Sequence, residues 1–195
     1  MNKTKRSSRP AARVVPIRKA ATLETVRLVC PDSAQAGLIS ESFGLPVIDS
    51  DSIRDLHRQM IIDTADSLKD GLGERAMQIH LQRIVGAFVG SAHGAGQFYS
   101  KAVTEARDAT AKGTNDLRDE DLDGPVGFDS NAQRKREFAA DMGLQAHALR
   151  SAAEGVVTAY EDVVGEVWKP FERTVDNPGQ TVDRKAAELQ MAALG

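Results

Sequence analysis

From Asp129 to Trp168 the chain runs about forty residues without a proline, and this stretch constrains the fold more than any other. Within it Met142, Ala146, Leu149, Ala153, Val156, Tyr160, Val163 and Val167 follow one another at alternating spacings of four and three. That is the 3.5-residue repeat of a helix showing a continuous apolar seam to a partner. The opposite face carries Glu137, Asp141, Ser151, Glu154, Thr158, Glu161, Asp162 and Glu166 and reads as wet. At 1.5 Å per residue the helix would span roughly 55 Å, so it must find a neighbour along its length. Lys169-Pro170 is expected to end it.

A second long helix is predicted over 74–112, ending before Gly113, with bulky positions at Ile79, Ile84, Val85, Phe88, Val89, Phe98, Tyr99 and Val103. Gly86, Gly90 and Gly94 fall on one face of it at every fourth residue. Each glycine costs a helix roughly 0.8–1 kcal/mol relative to alanine. The preferred reason for several together is close approach of another helix backbone; a kink at Gly94-Ala95-Gly96 is the alternative. If the two long helices form an antiparallel hairpin, residues whose numbers sum to about 243 lie level. Gly86, Gly90 and Gly94 then face Val157, Ala153 and Leu149.

A shorter helix is predicted over 53–69. Ser52 is its expected N-cap, Asp55 stands in a capping-box-like position, and Gly71 and Gly73 close it. Residues 23–51 are indecisive. Thr25 to Cys30 reads as a short strand, Ser33 to Phe43 as a weak helical stretch, and the whole as an extended segment laid over the bundle or a partly ordered one. Beyond Pro170 a loop through Asn177-Pro178-Gly179 precedes a short amphipathic helix with Val182, Ala186, Leu189 and Ala193 on one side. The expected fold is all-α: a long antiparallel helical hairpin in a three- or four-helix bundle. Its divisions are a disordered basic arm (1–22), the extended segment (23–51), the bundle (52–171) and a tail (172–195).

The net charge of −3 conceals a segregation. Residues 1–19 hold Lys3, Lys5, Arg6, Arg9, Arg13, Arg18 and Lys19 and no acid, leaving 18 basic against 28 acidic side chains in the rest. Such an arm is suited to neutralising phosphates of a nucleic acid, although no aromatic is interleaved for base stacking. The plainer reading is a solubilising leader lying against the acidic body. The arm also shares the Arg- and Ser-rich, acid-free character of an organelle transit peptide. A lone cysteine, Cys30, forms no internal disulfide, reads as a small apolar filler, and fits a reducing, cytoplasmic setting. No apolar run approaches the ~20 residues that span a bilayer.

Few motifs carry chemistry. Asp119-x-Asp121-x-Asp123-Gly124, followed by Val126, resembles the first half of an EF-hand calcium loop. The resemblance implies calcium ligation by Asp119, Asp121 and Asp123. Where the family places a bidentate glutamate, however, this chain has Ser130, so an acidic solvated turn is the preferred reading and no cofactor is expected. In the hairpin register His93 and His147 come within about one turn of each other, two ligands where zinc needs more. No dinucleotide fingerprint, Walker A loop, HExxH or GxSxG elbow occurs.

Trp168 and Phe171 cluster with Tyr160 and Val164 at the end of the seam, an aromatic patch suited to a protein partner. The leading expectation is a non-enzymatic, oligomeric interaction protein that binds a protein partner. A nucleic-acid-associated protein gripping phosphate through its arm comes second, and a metal-responsive or catalytic bundle third.

Overall fold

The computed structural model describes residues 20–119, 130–170, 174–177 and 180–182. In chain order it contains α1 (Leu23–Val29), α2 (Ser33–Phe43), α3 (Ser50–Leu72), α4 (Glu74–Asp119), α5 (Ser130–Val164), β1 (Thr174–Asn177) and β2 (Gln180–Val182). The two strands pair antiparallel. The architecture is otherwise all-helical: α4 and α5 form the long antiparallel hairpin, and α1, α2 and α3 pack on it.

The hairpin register follows the sequence expectation. Gly143 on α5 lies against Tyr99 on α4, and nearer the hairpin tip Arg136 Nε donates to Thr110 Oγ1 at 3.2 Å. Of the seam, Ala146, Ala153, Val156 and Tyr160 are buried in the main core with Leu81, Val85, Val89 and Ile61, and Leu149 and Val163 pack against it. Val167 does not belong, being 73% exposed. The helix ends before it, because Gly165 adopts a left-handed φ of +74° and donates its N–H to Glu161 O. A glycine takes that conformation without steric cost, so α5 stops before Lys169-Pro170 can end it.

The wet face of α5 is only partly wet. Ser151 is buried and donates to His147 O, while Glu154 is largely enclosed by arginines. The reason is that α5 is the central helix, touched by α1, α2, α3 and α4. Small residues around its circumference make this feasible. A side chain at Gly155 would strike the Arg54 carbonyl of α3, and a Cβ at Gly143 would come within 2.9 Å of both Ile39 and Tyr99.

The glycine stripe of α4 has a different outcome from the one expected. A Cβ at Gly90 or Gly94 would meet nothing within 4 Å, and one at Gly86 would only touch the Trp168 ring at 4.0 Å. Close approach occurs instead at Gly96, where Val29 of α1 and its C-cap Cys30 press in. Nothing in the structure explains Gly90. The helix continues unbroken through Gly94-Ala95-Gly96.

Residues 23–51 as a whole are not extended, and contain two helices joined at Cys30-Pro31-Asp32. Ser33–Phe43 is helical as expected, whereas Thr25 to Cys30, read as a strand, belongs to α1 and its C-cap. Each helix begins with a reciprocal capping box, Thr22 with Thr25 and Asp32 with Gln35, satisfying donors that a short helix otherwise leaves open. In α3 the cap is Asp49, whose carboxylate accepts from Ser52 N at 3.1 Å and from the Ser52 hydroxyl at 2.6 Å. The expected loop at 172–180 contains β1 and the start of β2. Val182, expected on the apolar side of a C-terminal helix, lies in β2 instead. The rest of that expected helix, the basic arm through Lys19, most of the Asp119–Gly124 pattern and Phe171 lie outside the described residues.

Candidate functional site

The feature with the shape of a binding site is a groove of about 470 Å³ between α2, α4 and α5. Its volume falls within the range of clefts that hold ligands or partner side chains. How it arises follows from the end of α2. Antiparallel to α5, this helix starts beside His147, whose Nδ1–H donates to Pro31 O at 3.0 Å, and passes Gly143 at Ile39. After Phe43 it stops. Gly44 takes a left-handed φ of +62°, Leu45 N donates back to Ser40 O at 2.9 Å, and the chain turns away through Pro46. It returns to α5 only at Ser50, whose hydroxyl meets His147 Nε2 at 2.5 Å.

The valley between α4 and α5 continues past that turn, lined by Val103, Ala106, Thr110 and Ala111 on one side and Arg136, Ala139 and Ala140 on the other. From the level of Phe43 to Ala111 this amounts to roughly two turns of helix. Tyr99 and Phe43 wall the end nearer the bundle, and Arg107 and Arg136 stand at the rim. Burial raises the Tyr99 phenol above its ordinary pKa, and the nearby Arg107 charge pulls it back only partly. A more polar cleft of about 590 Å³, lined by Glu137 and Asp141, adjoins at Arg136.

The sequence-predicted site residues fare differently. Tyr160 and Trp168 are 6% and 7% exposed and belong to the core, and Val164 packs against it, so among the described residues this end of the seam offers no open aromatic patch; Phe171 lies outside them. The Trp168 indole N–H finds no acceptor among the described residues. With both nitrogens engaged, by Pro31 O and the Ser50 hydroxyl, His147 is a core tie between α5 and the segments flanking α2. It has no lone pair to spare for a metal shared with His93. His57 is similarly occupied, donating Nδ1–H to Ile53 O at 2.8 Å and meeting the Phe88 ring edge-on at 5.3 Å. Among the described residues no three His, Cys, Asp or Glu side chains gather to hold a metal ion. Of the calcium-like pattern only Asp119, the last residue of α4, is within the described chain.

A cluster that sequence reasoning missed surrounds Glu154. Its carboxylate accepts from Arg27 of α1 at 3.0 Å, Arg150 of α5 at 3.3 Å and Arg54 of α3 at 3.4 Å. Burial acts to raise the Glu154 pKa, but the Arg27 and Arg150 guanidiniums outweigh it and the net shift is downward. Arg54 also pairs with Asp51, and Arg150 donates to Cys30 O. These arginines are therefore engaged in tying three helices together.

No family model matches the chain, and neither a curated protein nor a solved structure does. Among the described residues no helix is long and apolar enough to cross a membrane.

Proposed function

We propose that this chain is a non-enzymatic interaction protein whose bundle docks an apolar helical segment of a protein partner in the groove beyond α2. The observation that carries the reading is the premature end of α2. It leaves an apolar channel, two helix turns long, between α4 and α5, on the track that α2 itself occupies further back. Helix-in-groove docking places apolar side chains at helical spacing into such a channel. Among the described residues the lining contains no aspartate, glutamate, histidine or cysteine, which supports docking over catalysis.

The test is a photoreactive residue placed at Ala111, an exposed position in the groove, with Leu72 at the far end of α3 as control. A discrete protein adduct through position 111 and none through position 72 is expected in the cells that make this chain. Equal labelling from both positions, or none from 111, would discard the reading.

A second reading rests on the seven basic residues between Lys3 and Lys19: the arm contacts nucleic-acid phosphates while the bundle recruits. Binding to a random-sequence duplex would then weaken linearly on a log–log salt plot and vanish when the arm is removed.

A further inference from the structure

We infer that the occupant of this groove is an acidic segment, one whose apolar stripe is flanked by carboxylates that pair with Arg107 and Arg136. The inference rests on the docking reading above and adds the chemistry of the partner. It starts from an imbalance at the rim. Arg107 and Arg136 both line the groove and both are exposed. Among the described residues neither makes an ion pair, whereas Arg27, Arg54, Arg58 and Arg150 all do. Arg136 is held by a neutral group, donating Nε to Thr110 Oγ1 at 3.2 Å, a bond that does not use its terminal nitrogens.

Carboxylates do stand near by on α5. Glu137 accepts from Gln133 at 2.8 Å, and with Asp141 it lines the adjoining cleft, yet neither pairs with Arg136. The two guanidiniums come from the two opposing walls, Arg107 from α4 and Arg136 from α5, at positions that the hairpin register places level. An apolar floor between two such cations suits a helix with leucine-like residues inward and Asp or Glu on both flanks. Planar guanidiniums bind carboxylates bidentately, which also fixes orientation. A basic segment would bring like charge against both walls.

The experiment selects ligands from a displayed library of helical peptides about 15 residues long. Each carries a fixed leucine stripe and Glu, Gln or Lys randomised at the flanks. The baits are the full-length chain, its A111W variant, which plugs the groove from an exposed position, and its R107E/R136E variant. Circular dichroism confirms that each variant keeps the helical fold. The wild-type chain should enrich Glu at the flanks, A111W should enrich nothing, and the double reversal should enrich Lys instead. The Glu-flanked winners should bind R107E/R136E with affinity reduced on the order of tenfold or more.

Enrichment that A111W abolishes but that shows no flank preference would overturn the acidic partner and leave the groove reading standing. No A111W-sensitive enrichment at all would remove both. A wild-type dimer in sedimentation that A111W disperses would assign the groove to a second copy of this chain and likewise overturn the proposal.

Discussion

Cys30 is the residue where the environment most changes ordinary chemistry. Its thiol is buried, donates to Ala92 O at 3.2 Å, and has its pKa pushed up to about 11 by burial, against the opposing pull of Arg150 and the Gly96 backbone. A free thiol with pKa near 8.5 is roughly one quarter thiolate at pH 8, and one at 11 is roughly a thousandth. Iodoacetamide should therefore label the native chain at pH 8 at least about 200-fold more slowly than the chain in urea. Comparable rates would mean that α1 does not seal the thiol against α4. At Glu154 the sign is opposite. Its folded pKa is lowered, so its contribution to stability is fully present above the unfolded value of about 4.3 and is lost as pH falls through the folded pKa. Glu154→Gln should cost about 1–2 kcal/mol at pH 7, a discount already made for the exposure of Arg27 and Arg54. Denaturant melts over a pH series should show the two proteins converging toward pH 3; a constant gap would place the loss in packing rather than charge.

Among the helices, glycine separates what a chain needs from what it merely contains. Gly90 and Gly94 have room for a Cβ, whereas Gly155 does not. Gly90→Ala and Gly94→Ala should each stabilise α4 by roughly 0.5–1 kcal/mol. Gly155→Ala should destabilise, by about 2 kcal/mol or more, because α3 must move off α5. Thermal melts of the three variants decide this by sign alone. The same contrast shows what the sequence could convey. Long helices were legible from periodicity and punctuation: 53–69 for α3, 74–112 for α4 and 129–168 for α5 fall close to the observed spans. The glycines of α4 were legible as unusual but not as to which neighbour they meet, because that depends on α1. In turn α1, of 7 residues, is too short for periodicity to declare it and reads as a strand, while α2, of 11, shows only as a weak helical stretch over Ser33 to Phe43. Their stability comes from capping boxes and from contacts more than a hundred residues away, such as Arg150 to Cys30 O. The groove is a consequence of where α2 stops, so it was equally hidden. The pairing of Glu154 with three arginines was masked by its place on an apparently polar face.

Across the whole molecule the layers are uneven. Around Gly155 the central helix is enclosed by α3, α4 and α1, and the main core from Leu81 to Ala92 and from Ala146 to Tyr160 is continuous. Toward the hairpin tip the core shrinks to Ala102, Ala106 and Ala139 with Val103 and Met142 at their side, and α2 ends at Phe43. Fewer buried contacts per turn mean that the tip half opens at a lower free energy than the rest. In hydrogen exchange, amides of 85–92 and 151–160 should exchange only by global unfolding, while those of 104–112 and 131–138 should exchange at least about tenfold faster. Adding a Glu-flanked peptide that fills the groove should slow the second set and leave the first unchanged, since ligand binding stabilises only those openings that destroy its site. Uniform protection along α4 and α5 would show that the hairpin tip is complete without a partner, and with it would go the physical reason for an occupant.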